Sequence, residues 1–472
     1  MALTSANCLP FGAKRGSKGG RQRSLPLVGR IRVGVHLRKN PNAIALQSNR
    51  IAGRWPEHSP RKRVFRFGRI AAETAMGSAM DEGRDMTGLS GKQPSGAKGV
   101  VVAFSVPGGE TIYTHERETV AAVARTIAAL KGFAFREGLS DGGGDGRRLY
   151  FVPDDSLLAV DALQLGINGP DDLFGGVVPW RLATTKAITH KLVDGSAARP
   201  KEWPAGFGRA VGAAVLPGYT AFSRDDALRA AERLLQLGLV RFKPPRASRG
   251  RDQHTAATVA DIERLLERYP SSDLREYGLV LETELRDIVT LSIGRTAIDG
   301  TSVAYYGVQR MTADNAGQPV YGGSDLVVVR GGWEALDGLQ LSPALSLAVA
   351  QARIYDAAMD GYPGFFASRR NYDIGQGVDS SGIWRSGVLE ASWRIGGSSS
   401  AELAAMDAMK RDPDVQIVHV SAVKQFGSTA HLPLNAAIHF HGEDPEEGQI
   451  TRYTVVTQAI RGPVGEAGRS SF

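Results

Sequence analysis

Two acidic residues lie in two strand-like segments that a short turn joins. The segment FFASRRNYDI (365–374) contains Asp373, and the segment GVLEASWRIGG (387–397) contains Glu390. The stretch GVDSSG between them is rich in turn residues and predicts a β hairpin. Antiparallel pairing would hold the two carboxylates close together, which is unfavourable unless a cation or a basic side chain neutralises them. The hairpin therefore predicts a site for a hard cation such as Mg²⁺.

The second strand of this hairpin also places polar side chains at alternate positions. Glu390, Ser392 and Arg394 would point to one face because side chains alternate along a strand. The two glycines that follow let backbone approach a ligand closely, and SSSAELAAM predicts a helix that begins with serine. A simpler alternative stays open, in which the strand runs into an ordinary capped helix and Glu390 pairs with Arg394 or Arg370.

A lysine in a strand is the next polar feature. The amphipathic helix DDALRAAERLLQLG leads into LVRFKPPRASRGRDQ, where Lys243 lies in a strand that the following prolines end. A lysine on rigid β structure can contact a phosphate, and the loop with Ser248 and Gly250 can fold over it. The alternatives are a lysine that reaches solvent at a sheet edge and an exposed basic loop.

Residues 99–180 alternate between strand-like and helix-like patterns. GVVVAFSV, RRLYFVP and DLFGGVVP read as strands, whereas HERETVAAVARTIAALKG and AVDALQLGI have apolar residues at helical spacing. This alternation predicts a small α/β domain ahead of the lysine strand. Farther along, YGLVLETEL (277–285) predicts a strand that brings Glu282 to its end.

The order of these segments resembles the ATP-grasp superfamily. A helix leads into a strand lysine, a glycine-containing loop and a strand with an acid follow, and an Asp strand then pairs with a Glu strand. The likeness covers residues 181–410, and residues 99–180 take the place of the α/β domain that usually precedes these elements. DLFGGVVP, YYGVQR and GFFASRRNYD also resemble a bacterial family of ATP-grasp-like proteins without an assigned function. The expected fold is α/β, with two α+β lobes that hold ATP between their sheets.

The resemblance implies a function and a set of site residues. The function is that of an ATP- and Mg²⁺-dependent ligase, which activates a substrate carboxylate as an acylphosphate for attack by an amine or a thiol. Nucleotide contacts are implied for Lys186, Lys243, Ser248, Gly250, Glu282 and Leu285. Metal binding is implied for Asp373, Glu390 and Ser392, and catalytic roles are implied for Lys243 and Arg394. For Lys186 the alternative is a lysine on the surface of a helix.

Three positions depart from the superfamily pattern. Ser392 replaces the usual asparagine, and Asn371 stands where an arginine is common. Val289 or Thr290 occupies the place of a ribose-binding acid. These departures keep two alternatives open, a nucleotide-binding protein without ligase activity and a small-molecule kinase.

The basic charge of the chain is concentrated at its N-terminus. The 472 residues have a formal net charge of +8, yet residues 1–98 hold 19 of the 57 Lys and Arg residues and 5 of the 49 Asp and Glu residues. The first 98 residues therefore carry +14, and the remainder carries −6. This segment lacks apolar periodicity, so we expect a disordered tail. There are three alternatives: a translation start at Met76, Met80 or Met86, a transit peptide, or an arm that binds phosphate groups of a nucleic acid.

The remaining expectations concern class, location and partners. Cys8 is the only cysteine, which excludes a disulfide framework, and no apolar run is long enough for a membrane span. We expect a cytoplasmic protein that binds a small-molecule carboxylate and an amine acceptor, without a membrane partner or a specific nucleic-acid partner. The oligomeric state is left open. Residues 411–472 predict a β-rich extension, in which His439 and His441 indicate either a metal site or an exposed edge strand.

Overall fold

A computed structural model describes the chain over five segments, residues 97–107, 113–139, 146–245, 252–428 and 432–462. Strands and helices are interspersed along these segments, which confirms the α/β class expected from the sequence. Residues 1–96, which hold nearly all of the expected tail, lie outside the described residues, as do the loop residues Ser248 and Gly250.

The first part of the described chain contains a small parallel sheet with a helix packed on it. Its elements are β1 (Gly99–Phe104), α1 (Thr114–Lys131), β2 (Ala134–Glu137), β3 (Arg148–Pro153), β4 (Leu157–Leu158), α2 (Ala159–Gln164), a 3-10 helix (Pro170–Asp172) and β5 (Gly176–Val178). β1 lies between β2 and β3, and its sequence GVVVAF is buried throughout, as expected of a central parallel strand. α1 ends at Gly132, whose φ of 65° suits glycine.

The next elements build a four-stranded antiparallel sheet. They are two 3-10 helices (Arg181–Thr184 and Lys186–Thr189), α3 (Phe207–Ala210), β6 (Gly218–Ala221), α4 (Arg224–Leu235), β7 (Val240–Lys243), β8 (His254–Ala256), α5 (Val259–Arg268), α6 (Ser271–Tyr277) and β9 (Leu279–Thr283). The strand order is β6-β9-β7-β8. Ala227, Ala230 and Ala231 of α4 pack on this sheet because residues three and four apart share a helix face. The packing holds β7, and with it Lys243, inside the sheet.

The rest of the described chain builds an eight-stranded antiparallel sheet. Its elements are β10 (Arg286–Ile298), β11 (Thr301–Ala313), β12 (Pro319–Arg330), α7 (Trp333–Asp337), α8 (Pro343–Asp360), β13 (Phe366–Ala367), β14 (Arg369–Val378), β15 (Trp384–Ser392), α9 (Ser399–Arg411), β16 (Val415–Phe426), β17 (Ala437–Asp444) and β18 (Gly448–Arg461). The strand order is β15-β14-β10-β11-β12-β16-β18-β17, and β13 pairs with β5 in a separate sheet. The last three strands therefore continue the sheet that carries the acidic hairpin.

Two helices cover opposite faces of the large sheet. α8 packs on the face that includes Ile293 and Val327, and α9 packs on the face that includes Tyr305 and Val328. Val327 and Val328 are neighbours in β12 and belong to opposite faces, because side chains alternate along a strand. Asp373 lies on the α9 side, since its neighbour Ile374 belongs to the α8 side.

The segment 214–217 joins the two antiparallel sheets. The Val388 amide of β15 donates to the Ala214 carbonyl oxygen at 2.8 Å, and the Thr283 amide of β9 donates to the Pro217 carbonyl oxygen at 2.9 Å. These bonds place the end of β9 beside the acidic hairpin. Within the described segments, no helix combines the length and apolarity that crossing a membrane requires.

Candidate functional site

Lys243 and Glu282 form a buried ion pair in the four-stranded sheet. Lys243 Nζ lies 2.8 Å from Glu282 Oε1, and only about 3% of each residue is exposed. The contact follows from the sheet order, because β7 and β9 are neighbours and Lys243 stands opposite Val280. Lys243 Nζ also donates to the Leu389 carbonyl oxygen of β15 at 3.3 Å. The ammonium group therefore bridges the two antiparallel sheets.

His190 completes this cluster from outside the sheet. Its Nε2 lies 3.1 Å from Glu282 Oε2. The imidazole packs against Gly218, where a Cβ atom would come within 2.6 Å of the ring, so only glycine leaves room for it. Burial opposes ionisation of Glu282, but Lys243 and His190 outweigh it and lower the pKa of Glu282 to about 2. Glu282 is therefore ionised at neutral pH.

The two acids of the hairpin stand directly opposite each other. Asp373 of β14 pairs with Glu390 of β15, as the sequence predicted. The next pair in register is Ile374 with Val388, so Leu389 is an extra residue and forms a β-bulge. The carbonyl group of this bulged residue is the one that accepts the hydrogen bond from the strand lysine.

Lys186 reaches the same edge from the 3-10 helix that it begins. Its Nζ lies 2.9 Å from Glu390 Oε2. The residue is only 6% exposed, so it is not a lysine on a helix surface. Glu390 thus pairs with a lysine, and Arg370 pairs elsewhere, with Asp356 at 2.8 Å.

The two opposed carboxylates have pKa values that move in different directions. Burial and the nearby Glu390 carboxylate raise the pKa of Asp373. Burial also opposes ionisation of Glu390, but Lys186 outweighs it and lowers the pKa of Glu390. Such a divergence is typical of two like charges held at one site. A divalent cation between them would favour the ionised form of both.

Ser392, Arg394 and Leu285 lie around this edge. Ser392 is the last residue of β15 and stands opposite Asn371. Arg394 follows the end of the strand, with its Nε 3.8 Å from Asp155 Oδ1 and about a third of its side chain exposed. Leu285 is buried in the connection between β9 and β10. Of the expected site residues that are described, five carry charges that meet in two adjoining clusters, Lys186, Lys243, Glu282, Asp373 and Glu390.

Sequence reasoning missed three polar contributors to these clusters. His190 lies four residues after Lys186 in TTKAITHKL, a segment without strand or helix periodicity. Ser292 Oγ donates to Asp373 Oδ1 at 3.4 Å, and Gln309 Nε2 donates to Ser292 Oγ at 3.0 Å. Polar residues within otherwise apolar strands were the available signal for Ser292 and Gln309, whereas His190 had none.

The two histidines of the C-terminal strands take part in cross-strand hydrogen bonds. His439 Nε2 lies 2.8 Å from Thr454 Oγ1, and His441 Nδ1 lies 2.9 Å from Thr451 Oγ1. Their strand, β17, is at the edge of the sheet. Nowhere in the described segments do three or more His, Cys, Asp or Glu side chains form a group that could hold a metal ion.

Several solved structures are similar to this chain. Biotin carboxylase from Campylobacter jejuni, in a β-γ-ATP complex, matches with a TM-score of 0.43 and 9% identity over 76% of this chain and 87% of that one. N5-carboxyaminoimidazole synthetase from Staphylococcus aureus, complexed with ADP, matches with a TM-score of 0.44 and 12% identity over 79% and 95%. D-Alanine–D-alanine ligase from Bacillus anthracis, complexed with ATP, matches with a TM-score of 0.35 and 12% identity over 66% and 96%. These are distant likenesses.

Sequence comparison identifies a family. No curated protein matches the chain. The model of a family described as "Protein of unknown function (DUF3182)" matches residues 105–454, which is most of the chain. The match includes the four-stranded sheet, the eight-stranded sheet except for the end of β18, and both charged clusters. The chain therefore belongs to the DUF3182 family.

Proposed function

We propose that this protein is an ATP- and Mg²⁺-dependent ligase of ATP-grasp type, which activates a substrate carboxylate as an acylphosphate and transfers the acyl group to an amine. The observation that carries the proposal is the meeting of two buried lysines with two opposed carboxylates where the antiparallel sheets adjoin. Lysines bind phosphate oxygens, and paired carboxylates bind Mg²⁺. The combination favours a ligand made of a polyphosphate and a metal ion.

Lys243 is held in position by an acid that a nucleotide need not displace. Glu282, which His190 contacts in turn, pairs with Lys243 at 2.8 Å, whereas the bond from Lys243 to the Leu389 carbonyl oxygen is longer, at 3.3 Å. A phosphate oxygen is a stronger acceptor than a neutral carbonyl and can replace it. Lys243 would then stabilise the negative charge that spreads over the transferred phosphoryl group.

Asp373 and Glu390 fit a Mg²⁺ site that phosphate oxygens complete. The two side chains supply hard oxygen ligands from adjacent strands, and the hydroxyl group of Ser392 lies at the same edge. A pair of acids, with no larger acidic or histidine group in the described residues, suits Mg²⁺, which usually takes one or two carboxylates and completes its shell with water and substrate phosphates. Bound there, Mg²⁺ would neutralise charge on both the phosphates and the carboxylates.

The proposed reaction has two transfers. A carboxylate oxygen of the substrate attacks the γ-phosphorus of ATP, and the bond to ADP breaks. The nitrogen of the amine then attacks the acyl carbon, phosphate leaves, and the nitrogen loses a proton. We assign to Arg394 the role of donating hydrogen bonds to the acyl oxygen, because it follows Glu390 and Ser392 on the chain and part of its side chain is exposed.

Nucleotide binding is the first test of the proposal. Isothermal titration of the protein with ATP should give saturable binding with Mg²⁺ and much weaker binding with EDTA. Lys243→Met and Glu390→Gln should each weaken binding at least about tenfold, since each removes a charge from the site. Lys191→Met is the matched control and should leave the affinity for ATP unchanged. Lys191 is exposed, and it lies close to Lys186 in the sequence. Equal affinity in all the variants would refute the nucleotide site.

Product analysis separates the ligase from its alternatives. A ligase releases ADP and phosphate only when both an acid and an amine are present. A small-molecule kinase releases ADP with the phosphate acceptor alone, and a nucleotide-binding protein without activity leaves ATP intact. Screening small acids with and without amines for phosphate release makes this distinction.

A further inference from the structure

Asp373 accepts hydrogen bonds from two neighbouring side chains. The amide nitrogen of Asn371, two residues earlier in β14, donates to Asp373 Oδ1 at 2.8 Å. Ser292 of β10, which stands directly opposite Asp373, donates to the same oxygen at 3.4 Å. Both donors hold Oδ1, which leaves Oδ2 as the oxygen that can bind a metal ion. The bond from Asn371 is the shorter one, so Asn371 restrains this carboxylate more strongly.

The sequence places Asn371 and Asp373 on one face of β14, because residues two apart in a strand point the same way. Asn371 stands opposite Ser392, and Asp373 stands opposite Glu390. An ionised carboxylate only accepts hydrogen bonds, so the amide nitrogen of Asn371 must face Asp373. The amide oxygen of Asn371 then needs a donor of its own.

Tyr305 supplies this donor from two strands away. It lies on β11 and Asn371 lies on β14, and Gly294 of β10 stands between them, opposite both in register. A Cβ atom at Gly294 would lie 2.4 Å from the Tyr305 hydroxyl oxygen, so the glycine leaves room for the tyrosine to reach across β10. The hydroxyl group donates to Asn371 Oδ1 at 3.1 Å. Both polar ends of the amide thus have partners.

The buried ion pair between β14 and α9 anchors Tyr305 in turn. The hydroxyl group also lies 2.9 Å from Glu402 Oε1, so its one hydrogen is shared between two acceptors. Glu402 pairs with Arg369 at 2.9 Å. These four side chains, Arg369, Asn371, Tyr305 and Glu402, are buried. Buried polar groups that are hydrogen-bonded to one another form rigid networks. The network therefore restrains the Asp373 carboxylate at which it ends.

A restrained carboxylate that offers one oxygen favours Mg²⁺ over Ca²⁺. Mg²⁺ requires a near-octahedral shell, whereas Ca²⁺ takes about six to eight oxygens in flexible geometry and can bind both oxygens of one carboxylate. Selectivity between the two cations depends on the number and the flexibility of the ligands. Asp373 can supply a second oxygen only if it gives up its hydrogen bond to Asn371.

We infer that Asn371 makes this site selective for Mg²⁺, because it holds one oxygen of Asp373 and leaves only the other for the cation. Asn371 acts through Asp373 and is therefore a positioning residue, which Tyr305 supports. The inference rests on the proposed function, since it concerns the cation of the proposed ATP site. Without the amide, Asp373 is free to turn and to present both oxygens to a larger ion.

The test compares Mg²⁺ with Ca²⁺ in calorimetric titrations of the protein with a non-hydrolysable ATP analogue. The quantity to compare is the ratio of the two affinities, which should favour Mg²⁺ in the wild type. Asn371→Leu keeps the approximate size of the side chain and removes the amide, so it should lower this ratio about tenfold. Tyr305→Phe removes only the hydroxyl group and should lower the ratio about threefold.

Thr296→Val is the matched control. Thr296 donates to Glu402 Oε2, at the end of the network away from Asp373. This variant should lower the free energy of unfolding in urea and leave the ratio of affinities unchanged. A purely structural role of Asn371 would likewise weaken binding with both cations equally.

An unchanged ratio in Asn371→Leu overturns the role of Asn371 and leaves the proposed function standing. If Asn371→Leu does not fold, an unchanged ratio in Tyr305→Phe overturns that role. Equal affinities with Mg²⁺ and Ca²⁺ in the wild type also overturn it. Absence of metal-dependent binding of the analogue to the wild type refutes the proposed function together with the inference.

Discussion

Lys186 Nζ lies 2.9 Å from Glu390 Oε2, although the two residues belong to segments far apart in the chain. This contact connects a short 3-10 helix to the strand that carries the acidic pair. It also offsets the repulsion between the two opposed carboxylates, because one of them has a lysine as its partner.

The first prediction concerns this lysine. Lys186→Met should raise the pKa of Glu390, since it removes the main group that favours the ionised carboxylate. In the proposed site, Mg²⁺-dependent ATP binding requires ionised carboxylates, so the pH below which binding is lost should be higher in the variant than in the wild type. Calorimetric titrations across a pH series measure the shift. Lys191→Met should keep the profile of the wild type, and an unchanged profile in Lys186→Met would contradict the role assigned to the contact.

Asp373→Asn should stabilise the nucleotide-free protein and abolish Mg²⁺-dependent ATP turnover. The raised pKa of Asp373 means that the fold disfavours its ionised form, whereas a neutral amide keeps the shape of the side chain. Gains at functional sites of this kind are commonly about 0.5–2 kcal/mol. Urea unfolding of the apo protein and an ATPase assay measure the two effects. A stability loss together with full turnover would speak against a metal site.

Glu282→Gln should destabilise the protein by roughly 3–5 kcal/mol, because it leaves Lys243 buried without its carboxylate partner. The double variant Lys243→Met/Glu282→Gln should lose less, since it leaves no uncompensated charge. Chemical unfolding of the wild type, both single variants and the double variant gives the coupling energy. Additive effects of the two substitutions would show that the ion pair contributes nothing.

The same carboxylate predicts a pH dependence. Its pKa falls from 4.5 to about 2 on folding, so it stabilises the fold above pH 4.5 and loses this contribution as the pH falls toward 2. The contribution is roughly 3 kcal/mol. The free energy of unfolding of Glu282→Gln should therefore fall less steeply than that of the wild type between pH 5 and pH 2. Parallel curves for the two proteins would contradict the assigned pKa.

A second buried pair, Arg369 with Glu402, connects β14 to α9 at 2.9 Å. Thr296 and Tyr305 also donate hydrogen bonds to this carboxylate. Glu402→Gln should cost roughly 3–5 kcal/mol because the arginine remains buried without a counter-charge. The pair Arg411–Asp407, in which the arginine is exposed and the aspartate half-buried, provides the control, and Asp407→Asn should change the unfolding free energy by less than about 1 kcal/mol.

Local patterns were sufficient to predict the strands and the acidic pair. Proline after Lys243 ended one strand, and turn residues defined the hairpin that brings Asp373 and Glu390 close together. Their direct opposition depends on the bulge at Leu389, which the sequence pattern did not predict. The contacts of Lys186 and His190 could not be predicted in the same way. They depend on where a segment without periodicity packs against strands that follow it much later in the chain.

The extra residue at Leu389 decides which face of the hairpin Glu390 occupies. If pairing continued regularly from Val388 and Ile374, Glu390 would stand opposite Tyr372 and point toward the α8 side. Loss of the bulge with Leu389 retained would thus dismantle the acidic pair while every charged side chain stays in the sequence. Among members of this family, aligned acids are therefore insufficient evidence of an opposed acidic pair; the register of the hairpin must also place the glutamate on the same face as the aspartate.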